Sequence, residues 1–391
     1  MKKILSVLSV IAVSAVSLIG CDIFSIDDKT SGEDYLGTVE YNIVNISNVG
    51  NESLSEIVAG IYNSVVEIKT QTKSSGMFGS TISSGAGSGV LYGFNNDGDY
   101  YIITNNHVIE GADTITVVLT DGTEKQATLV GTDADADIAV VCISSSGINK
   151  SKFPTAIIPD ADYQVRVGDT AIAIGNPLGS LGGTVTCGIV SALERKIIVD
   201  DTIMTLLQTD ASINPGNSGG GLFNARGELI GITNSKYASE EIEGLGFAIP
   251  VNTAVEVANS LIEYGYVTGR AALGITVLDM TSETYMNSFL NSGSIRNDKN
   301  LRSLWYNRFN YLGTGLYIYE VTNTESGLAS GDKLENITVD NTVYTVDSEA
   351  RLKYVLSLCK PGDKVFVEVH YFEENTVKVR ELWVTLLEKT Q

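Results

Sequence analysis

The sequence predicts a mostly β fold built from closed barrels, and three observations carry that expectation. Apolar residues recur with period two until the middle third of the 391-residue chain ends. Glycine-rich punctuation cuts this pattern into many short runs, which favours barrels over a parallel α/β sheet. Helical periodicity brackets the strand-rich part instead of alternating with it. With 43% hydrophobic residues the chain can build two or three domains with cores of their own.

The elements follow in order. Lys2 and Lys3 precede an apolar run from Ile4 to Ile19, and Leu18-Ile19-Gly20-Cys21 closes it. That pattern is a secretory signal ending in a lipobox, so residues 1–20 are expected to be removed and Cys21 acylated. The run is shorter than the ~20 apolar residues a membrane span needs. Residues 21–51 are rich in Asp, Ser, Gly and Asn without sustained periodicity, which fits a flexible tether. A helix is expected near Ser53 to Tyr62.

Strands are expected at Val65–Thr70, Gly87–Tyr92, Tyr101–Thr104, Ile115–Leu119, Gln126–Val130 and Ile138–Ile143. Asp121-Gly122 between the fourth and fifth is a hairpin signal. The pattern continues through Thr170–Ile174, Thr184–Ser191, Met204–Gln208, Gly221–Phe223, Leu229–Thr233 and Gly246–Ile249. A helix from about Thr253 to Tyr264 follows, with Val255, Ala258, Leu261 and Ile262 on one face and Gly265 as its stop.

Charge narrows the function. The chain carries a formal net charge of -21, and loss of Lys2 and Lys3 with the leader makes it more acidic still. Such acidity repels phosphate, and no basic stripe with interleaved aromatics is visible, so a nucleic-acid role is disfavoured. Besides Cys21 there are Cys142, Cys187 and Cys359, too few and too scattered for a disulfide framework; they are expected to be small buried hydrophobes, with a Cys142–Cys187 bridge left open.

The residues that carry chemistry centre on Ser218 in DASINPGNSGGGLFN. Gly216 and the pair Gly219-Gly220 give this serine the backbone freedom that a nucleophile and its oxyanion-binding amides require. His107, in TNNHVIEGA, follows the apolar run YYIIT and is the candidate base, since imidazole accepts and returns a proton near neutral pH. Asp137 in TDADADIAVV is the candidate acid that orients it. On a strand Asp133, Asp135 and Asp137 would share a face, but only Asp137 abuts the apolar run; Asp133 and Asp135 are expected in a solvated turn. His, Asp, Ser in this order is the chymotrypsin-type arrangement. The oxyanion-binding amides are expected from Gly216 and Ser218.

Two competing patterns are weaker. Gly216-Asn217-Ser218-Gly219-Gly220 also fits a nucleophile elbow, which needs the order Ser, acid, His and would call on His370 with Asp332, Asp347 or Asp363. The hairpin expected across Asn224 to Gly227 is the wrong context for it. The triple aspartate is no calcium loop, because Ile138 and Ser144 occupy its glycine and glutamate positions. No metal or cofactor is called for.

TNNHVIEGA, TDADADIAVV, IAIGNPLG, TVTCGIVSAL, DASINPGNSGG, GELIGIT and GLGFAIP, in this order over about residues 52–258, resemble the HtrA/Deg serine proteases. The resemblance implies two six-stranded β-barrels with a His107-Asp137-Ser218 triad between them, a chymotrypsin-like protease domain over 52–265. It implies an ATP-independent endopeptidase acting on misfolded envelope proteins and a homotrimer or multiple of it, which the lipobox at Cys21 places as lipid-anchored on the extracytoplasmic side of the membrane. It further implies a substrate pocket at Ile213, Lys236 and Tyr237. The last two depart from the family's aliphatics, which leaves its P1 preference open. Gly221 stands where members often carry Pro or Ala. Ser235 to Gly244, with Glu240, Glu241 and Glu243, resembles the family's activation segment, and its composition equally fits a plain acidic surface loop.

Beyond Gly269, Leu273-Gly274-Ile275 resembles a PDZ carboxylate-binding loop, and SGLASGDKL with KPGDKVFVEV resembles the rest of such a module. This implies a PDZ-like α+β domain over 268–390 that takes peptide C-termini on a strand edge. Residues 278–314 are longer than the expected hairpin; Trp305, Tyr306, Phe309 and Tyr311 there either cover the groove or add a helix. A second class, a chaperone or peptide-binding scaffold with little proteolysis, stays open beside the protease.

Overall fold

The computed structural model describes residues 53–390, apart from 77–78, 161, 177–182, 200–201 and 238–244. The leader, Cys21 and the tether lie outside the described residues, as does most of the Ser235–Gly244 loop. A capping box starts α1 (Leu54–Ile61): the Ser53 hydroxyl accepts the Glu56 amide, and the Glu56 carboxylate accepts the Ser53 amide at 2.8 Å.

Among the described residues twelve strands close into two six-stranded barrels, so every strand expected up to Ile249 is present. The first comprises β1 (Val65–Gly76), β2 (Gly79–Phe94), β3 (Tyr100–Thr104), β4 (Thr114–Val118), β5 (Glu124–Asp133) and β6 (Ile138–Ile143), in the order β1-β2-β3-β6-β5-β4. The helix α2 (Asn106–Ile109) interrupts it after β3. The second comprises β7 (Thr170–Gly175), β8 (Thr184–Val199), β9 (Thr202–Thr209), β10 (Gly221–Phe223), β11 (Leu229–Asn234) and β12 (Gly246–Pro250), in the order β10-β11-β12-β9-β8-β7. The helix α3 (Val251–Tyr264) stops at Gly265, whose left-handed φ of 79° closes its last turn. β1, β2 and β8 outrun their apolar segments, because cross-strand pairing orders polar extensions that no hydrophobic pattern marks.

Burial explains why several strands read as continuous apolar runs. Ile102 and Val141 point into the first barrel, while Ile103 and Val140 point outward into a layer shared with the second barrel, α1 and α3. Leu222 and Ile230 fill the second barrel, whereas Phe223 and Ile232 join the shared layer. Two-sided burial removes the alternation that a half-exposed strand would show. At Gly221 a Cβ would meet the Phe223 ring, so the missing side chain makes room for that aromatic.

The C-terminal part is α+β. β13 (Ala271–Ala272) pairs with the last short strand, and β14 (Ile275–Met280) leads into α4 (Glu283–Leu290), α5 (Gly293–Asn297) and α6 (Lys299–Leu312). Then come β15 (Gly315–Val321), β16 (Lys333–Val339), β17 (Thr342–Thr345), α7 (Glu349–Ser357), β18 (Lys364–Glu373), β19 (Thr376–Thr385) and β20 (Leu387–Glu388). The sheet runs β14-β15-β16-β18-β19, with β17 added on β16. Leu316, Ile318, Val367 and Val369 face one core together with Leu352 and Val355 of α7. Tyr317 faces a second core formed by Trp305, Phe309 and Leu290 of the insertion. The 278–314 segment therefore adds three helices on the sheet face opposite α7. Trp305 stacks with Tyr319 at 6.4 Å between centroids, and Tyr311 stacks on Phe372 at 4.3 Å.

One expectation is sharpened and two are corrected. Asp137 stands at the head of the apolar strand, directly before β6, and ends a turn with φ 51°, a left-handed conformation that Asp tolerates better than most side chains. Asp133 and Asp135 are not a solvated turn alone. Asp133 accepts the Ala136 amide at 2.8 Å, but it also pairs with Arg270, and Asp135 lies 2.5 Å from Lys389, 3.5 Å from Arg270 and 3.6 Å from Lys353. Cys142, Cys187 and Cys359 are all free, and Cys187 is exposed, so neither a bridge nor uniform burial describes them.

The aspartate turn thus ties the first barrel to the C-terminal domain. Burial works against the Asp135 charge, but Lys389, Lys353 and Arg270 outweigh it and hold the carboxyl below the ordinary aspartate value. A carboxyl depressed in the folded state stabilises docking above about pH 4, and that contribution is lost as pH falls below it. Asp135→Asn is expected to speed amide exchange at residues 265–272 at pH 7. The wild type should approach the same protection, corrected for intrinsic rates, only as pH falls well below about 4; unchanged protection in the variant would remove this role.

Candidate active site

Four connections bring the site together between the barrels. His107 lies in α2, whose one turn after β3 turns the ring toward the second barrel. Asp137 ends the turn from β5 to β6, and Ser218 sits in the turn before β10. Asn234 closes β11 and is fully buried.

His107 Nδ1 lies 2.7 Å from Asp137 Oδ2, and Nε2 lies 3.1 Å from Ser218 Oγ. The His107 amide donates to Asp137 Oδ1 at 2.9 Å, and Asn234 Nδ2 donates to Oδ2 at 2.7 Å. The Asp137 carbonyl accepts the Asn105 side chain at 2.9 Å and the Asn106 amide at 3.2 Å. Both oxygens of the carboxylate and its own carbonyl are therefore held, which fixes a left-handed backbone that would otherwise be strained. A carboxylate set this way holds Nδ1 protonated and leaves Nε2 to accept a proton from Ser218. Asp137 and Ser218 are 3% and 4% exposed, so the carboxylate and the hydroxyl are shielded from water, while the imidazole between them is partly open to it.

The nucleophile turn depends on two glycines with positive φ, Gly216 at 103° and Gly219 at 81°. At Gly219 an added Cβ would collide with the Ser88 carbonyl and the Thr104 hydroxyl, so even alanine does not fit. Ser218 Oγ also lies 2.6 Å from Ser235 Oγ and accepts the Ser235 amide at 2.9 Å. Ser218 Oγ can donate to His107 Nε2 while it accepts from Ser235, so the 3₁₀ turn Ser235–Tyr237 occupies the oxygen's lone pairs and not its proton.

The structure brings His107, Asp137, Ser218 and Gly216 together. Ile213 is buried, with its side chain beside Gly246; Lys236 is exposed, and its amide donates to Asn234 Oδ1 at 3.1 Å. Tyr237 shares the 3₁₀ turn. Leu273, Gly274 and Ile275 form the bend from β13 to β14 in the C-terminal domain; the Gly274 carbonyl accepts the Thr322 and Asn323 amides at 2.8 and 3.0 Å. His370 lies on β18 between Glu335 and Glu368, at 3.1 and 3.3 Å, in the C-terminal sheet. The sequence did not reveal Asn234 or Ser235, although both close GELIGITNS; nothing local distinguishes an asparagine that reaches an aspartate 97 residues away.

Comparison with known proteins agrees with this geometry. Residues 87–232 match the trypsin-like peptidase domain family. The chain is 39% identical over 348 residues to the serine protease Do-like HtrB of Bacillus subtilis, covering 84% of this chain and 69% of that protein. It is 33% identical over 358 residues to the serine protease Do-like HtrA of Lactobacillus helveticus, covering 88% and 81%. With the periplasmic pH-dependent serine endoprotease DegQ of Escherichia coli it shares 38% over 282 residues, 72% of this chain and 55% of DegQ. Among solved structures, an HtrA-type protease AlgW with decapeptide superposes with a TM-score of 0.53 at 30% identity, over 86% of this chain and 99% of that one.

Proposed function

The chain belongs to the HtrA/Deg family of serine proteases and is a serine endopeptidase, and from that premise we propose that Ser218, His107 and Asp137 are its catalytic triad. The observation that carries this reading is the unbroken line from Asp137 Oδ2 through His107 to Ser218 Oγ, at 2.7 and 3.1 Å. In this reading His107 takes the Ser218 proton as Oγ attacks the scissile carbonyl, then returns it to the leaving amine. Asp137 holds the ring and stabilises the imidazolium. The Gly216 and Ser218 amides receive the oxyanion. Ile213, Lys236 and Tyr237 border the pocket for the residue before the cut.

The domain plan proposed is a protease domain over 52–265 and a PDZ-like domain over 268–390. β14 is an edge strand of its sheet, and the α7 amide of Glu349 donates to Asp279 of β14 at 3.4 Å. A peptide C-terminus would pair with this edge, its carboxylate at Leu273-Gly274-Ile275. The insertion packs on the other face of the sheet and leaves the edge to that role. A Cys21 acyl anchor with the 21–51 tether would hold the enzyme on the extracytoplasmic side of a membrane, as a trimer or multiple of it, where it removes misfolded proteins. Labelled palmitate should enter the wild type and not Cys21→Ser; label in both would exclude that anchor.

Residues 22–391 are expected to cleave unfolded casein without ATP, and a fluorophosphonate should stop cleavage with one adduct mapped to Ser218. Binding of casein without cleavage would favour the scaffold reading, and an adduct on another residue would overturn the triad.

A further inference from the structure

Three consecutive peptide planes make up the nucleophile turn, and their partners come from both barrels. In the Gly216–Asn217 plane, the carbonyl accepts the Ser88 hydroxyl at 2.6 Å and the amide donates to the Asn214 carbonyl at 3.0 Å. In the Ser218–Gly219 plane, the carbonyl accepts the Ser88 amide at 2.8 Å and the amide donates to the Thr233 carbonyl at 2.9 Å. Between them, the carbonyl of the Asn217–Ser218 plane accepts the Thr233 hydroxyl at 2.5 Å and the Gly220 amide at 2.8 Å. A peptide N–H points opposite its C=O because the unit is planar and trans. Pinning the Asn217 carbonyl therefore aims the Ser218 amide the other way, and fixing both flanking planes removes the rotations by which it could turn aside.

Ser88 is the member of this frame that crosses from one barrel to the other. It lies on β2, is fully buried, and its hydroxyl also accepts the Asn176 amide at 2.8 Å from the end of β7. Its own carbonyl accepts the Thr104 hydroxyl at 2.7 Å, which ties it to β3 immediately before α2 and His107. Through its hydroxyl and its carbonyl, Ser88 thus connects the turn carrying Ser218, the second barrel and the base side of the site.

We propose that Ser88 is a positioning residue for the oxyanion hole: its hydroxyl, through the Gly216 carbonyl, keeps the Ser218 amide directed at the oxygen of the tetrahedral intermediate. Thr233 does the same from the second barrel through the Asn217 carbonyl. This rests on the reading of the Gly216 and Ser218 amides as that hole. Neither residue touches the reacting atoms. Their contribution is preorganisation, which matters because donors fixed before the reaction need no reorientation as charge develops.

The test measures kcat and KM on a chromogenic peptide amide, and Ki for a peptide boronic acid that forms a tetrahedral adduct, for wild type, Ser88→Ala, Ser88→Thr and Thr233→Val. Rates are expressed per active site by burst titration, so misfolded protein does not count. Outright loss of an oxyanion donor costs about 10² to 10³ in rate, so a loosened donor is expected to cost about 10- to 100-fold. That loss should fall in kcat, with KM little changed, and boronic acid affinity should drop by the same factor in Ser88→Ala. Ser88→Thr, which retains the hydroxyl, should recover most of it. If Ser88→Ala does not fold, Thr233→Val carries the same expectation from the other barrel. A per-site kcat within twofold of wild type, or a loss in KM with boronic acid affinity unchanged, would overturn the proposal. A wild type that forms no boronic acid adduct at Ser218 would instead overturn the reading of the hole itself.

Discussion

Ser218→Ala is expected to lower kcat/KM for an unfolded protein substrate by about 10⁶-fold while leaving the fold intact. The loss is large because His107 Nε2 is bonded to Ser218 Oγ itself, whereas Ser235, the other hydroxyl in contact, bonds to Ser218 Oγ at 2.6 Å. The fold should survive because alanine removes one buried oxygen and leaves the turn's backbone bonds to Ser88 and Thr233 in place. Thermal unfolding and kcat/KM on casein-derived peptides check both halves. A variant that retains about one per cent of wild-type activity would show that Ser218 is not the nucleophile.

Asp137→Asn is expected to cost about 10⁴-fold in kcat/KM with little change in KM. The reason lies in the donors around the carboxylate: the His107 amide on Oδ1, and His107 Nδ1 and Asn234 Nδ2 on Oδ2. An amide offers one acceptor where the carboxylate offers two. If its oxygen keeps the His107 amide, its NH₂ opposes the Asn234 amide donor and faces Nδ1, forcing the proton to Nε2, the tautomer that cannot accept from Ser218. If its oxygen faces Nδ1 instead, the NH₂ opposes the His107 amide, and that contact then disfavours the productive orientation. The ¹H resonance of the Nδ1 proton, present in wild type and lost in Asp137→Asn, would show which holds. Activity of Asp137→Asn within about tenfold of wild type would show that Asp137 does not set the tautomer.

What the sequence made legible is local. Glycines around Ser218 mark a turn with positive φ, period-two runs mark strands, and the polar end of YYIIT marks where His107 leaves the sheet. Twelve strands could be placed because each barrel strand carries its own apolar pattern, whether half or fully buried. Long-range partners carry no such mark. Ser88 resembles any serine between glycines, yet its hydroxyl meets a carbonyl 128 residues away. Asp133 and Asp135 read as turn residues because their cations, Arg270, Lys353 and Lys389, lie far downstream in the C-terminal part of the chain. The left-handed backbone of Asp137 was hidden for a related reason, since tertiary bonds to Asn105, Asn106 and Asn234 sustain it. The insertion was ambiguous because Trp305 and Phe309, four apart on one face of α6, are interleaved with Tyr306 and Tyr311 on its exposed side, and nothing in that pattern says which surface the apolar face will cover.

That Ser218 and His107 act as one unit is tested most directly by comparing single and double substitutions. The measurement is kcat/KM for His107→Ala, Ser218→Ala and the double variant on one peptide substrate, with rates corrected for active protein. If His107 serves only to move the Ser218 proton, removing it from a chain that lacks Ser218 changes nothing, and all three variants should share one residual rate. Losses that multiply, with the double variant far below either single one, would contradict a common proton-transfer step and separate the two residues into independent roles.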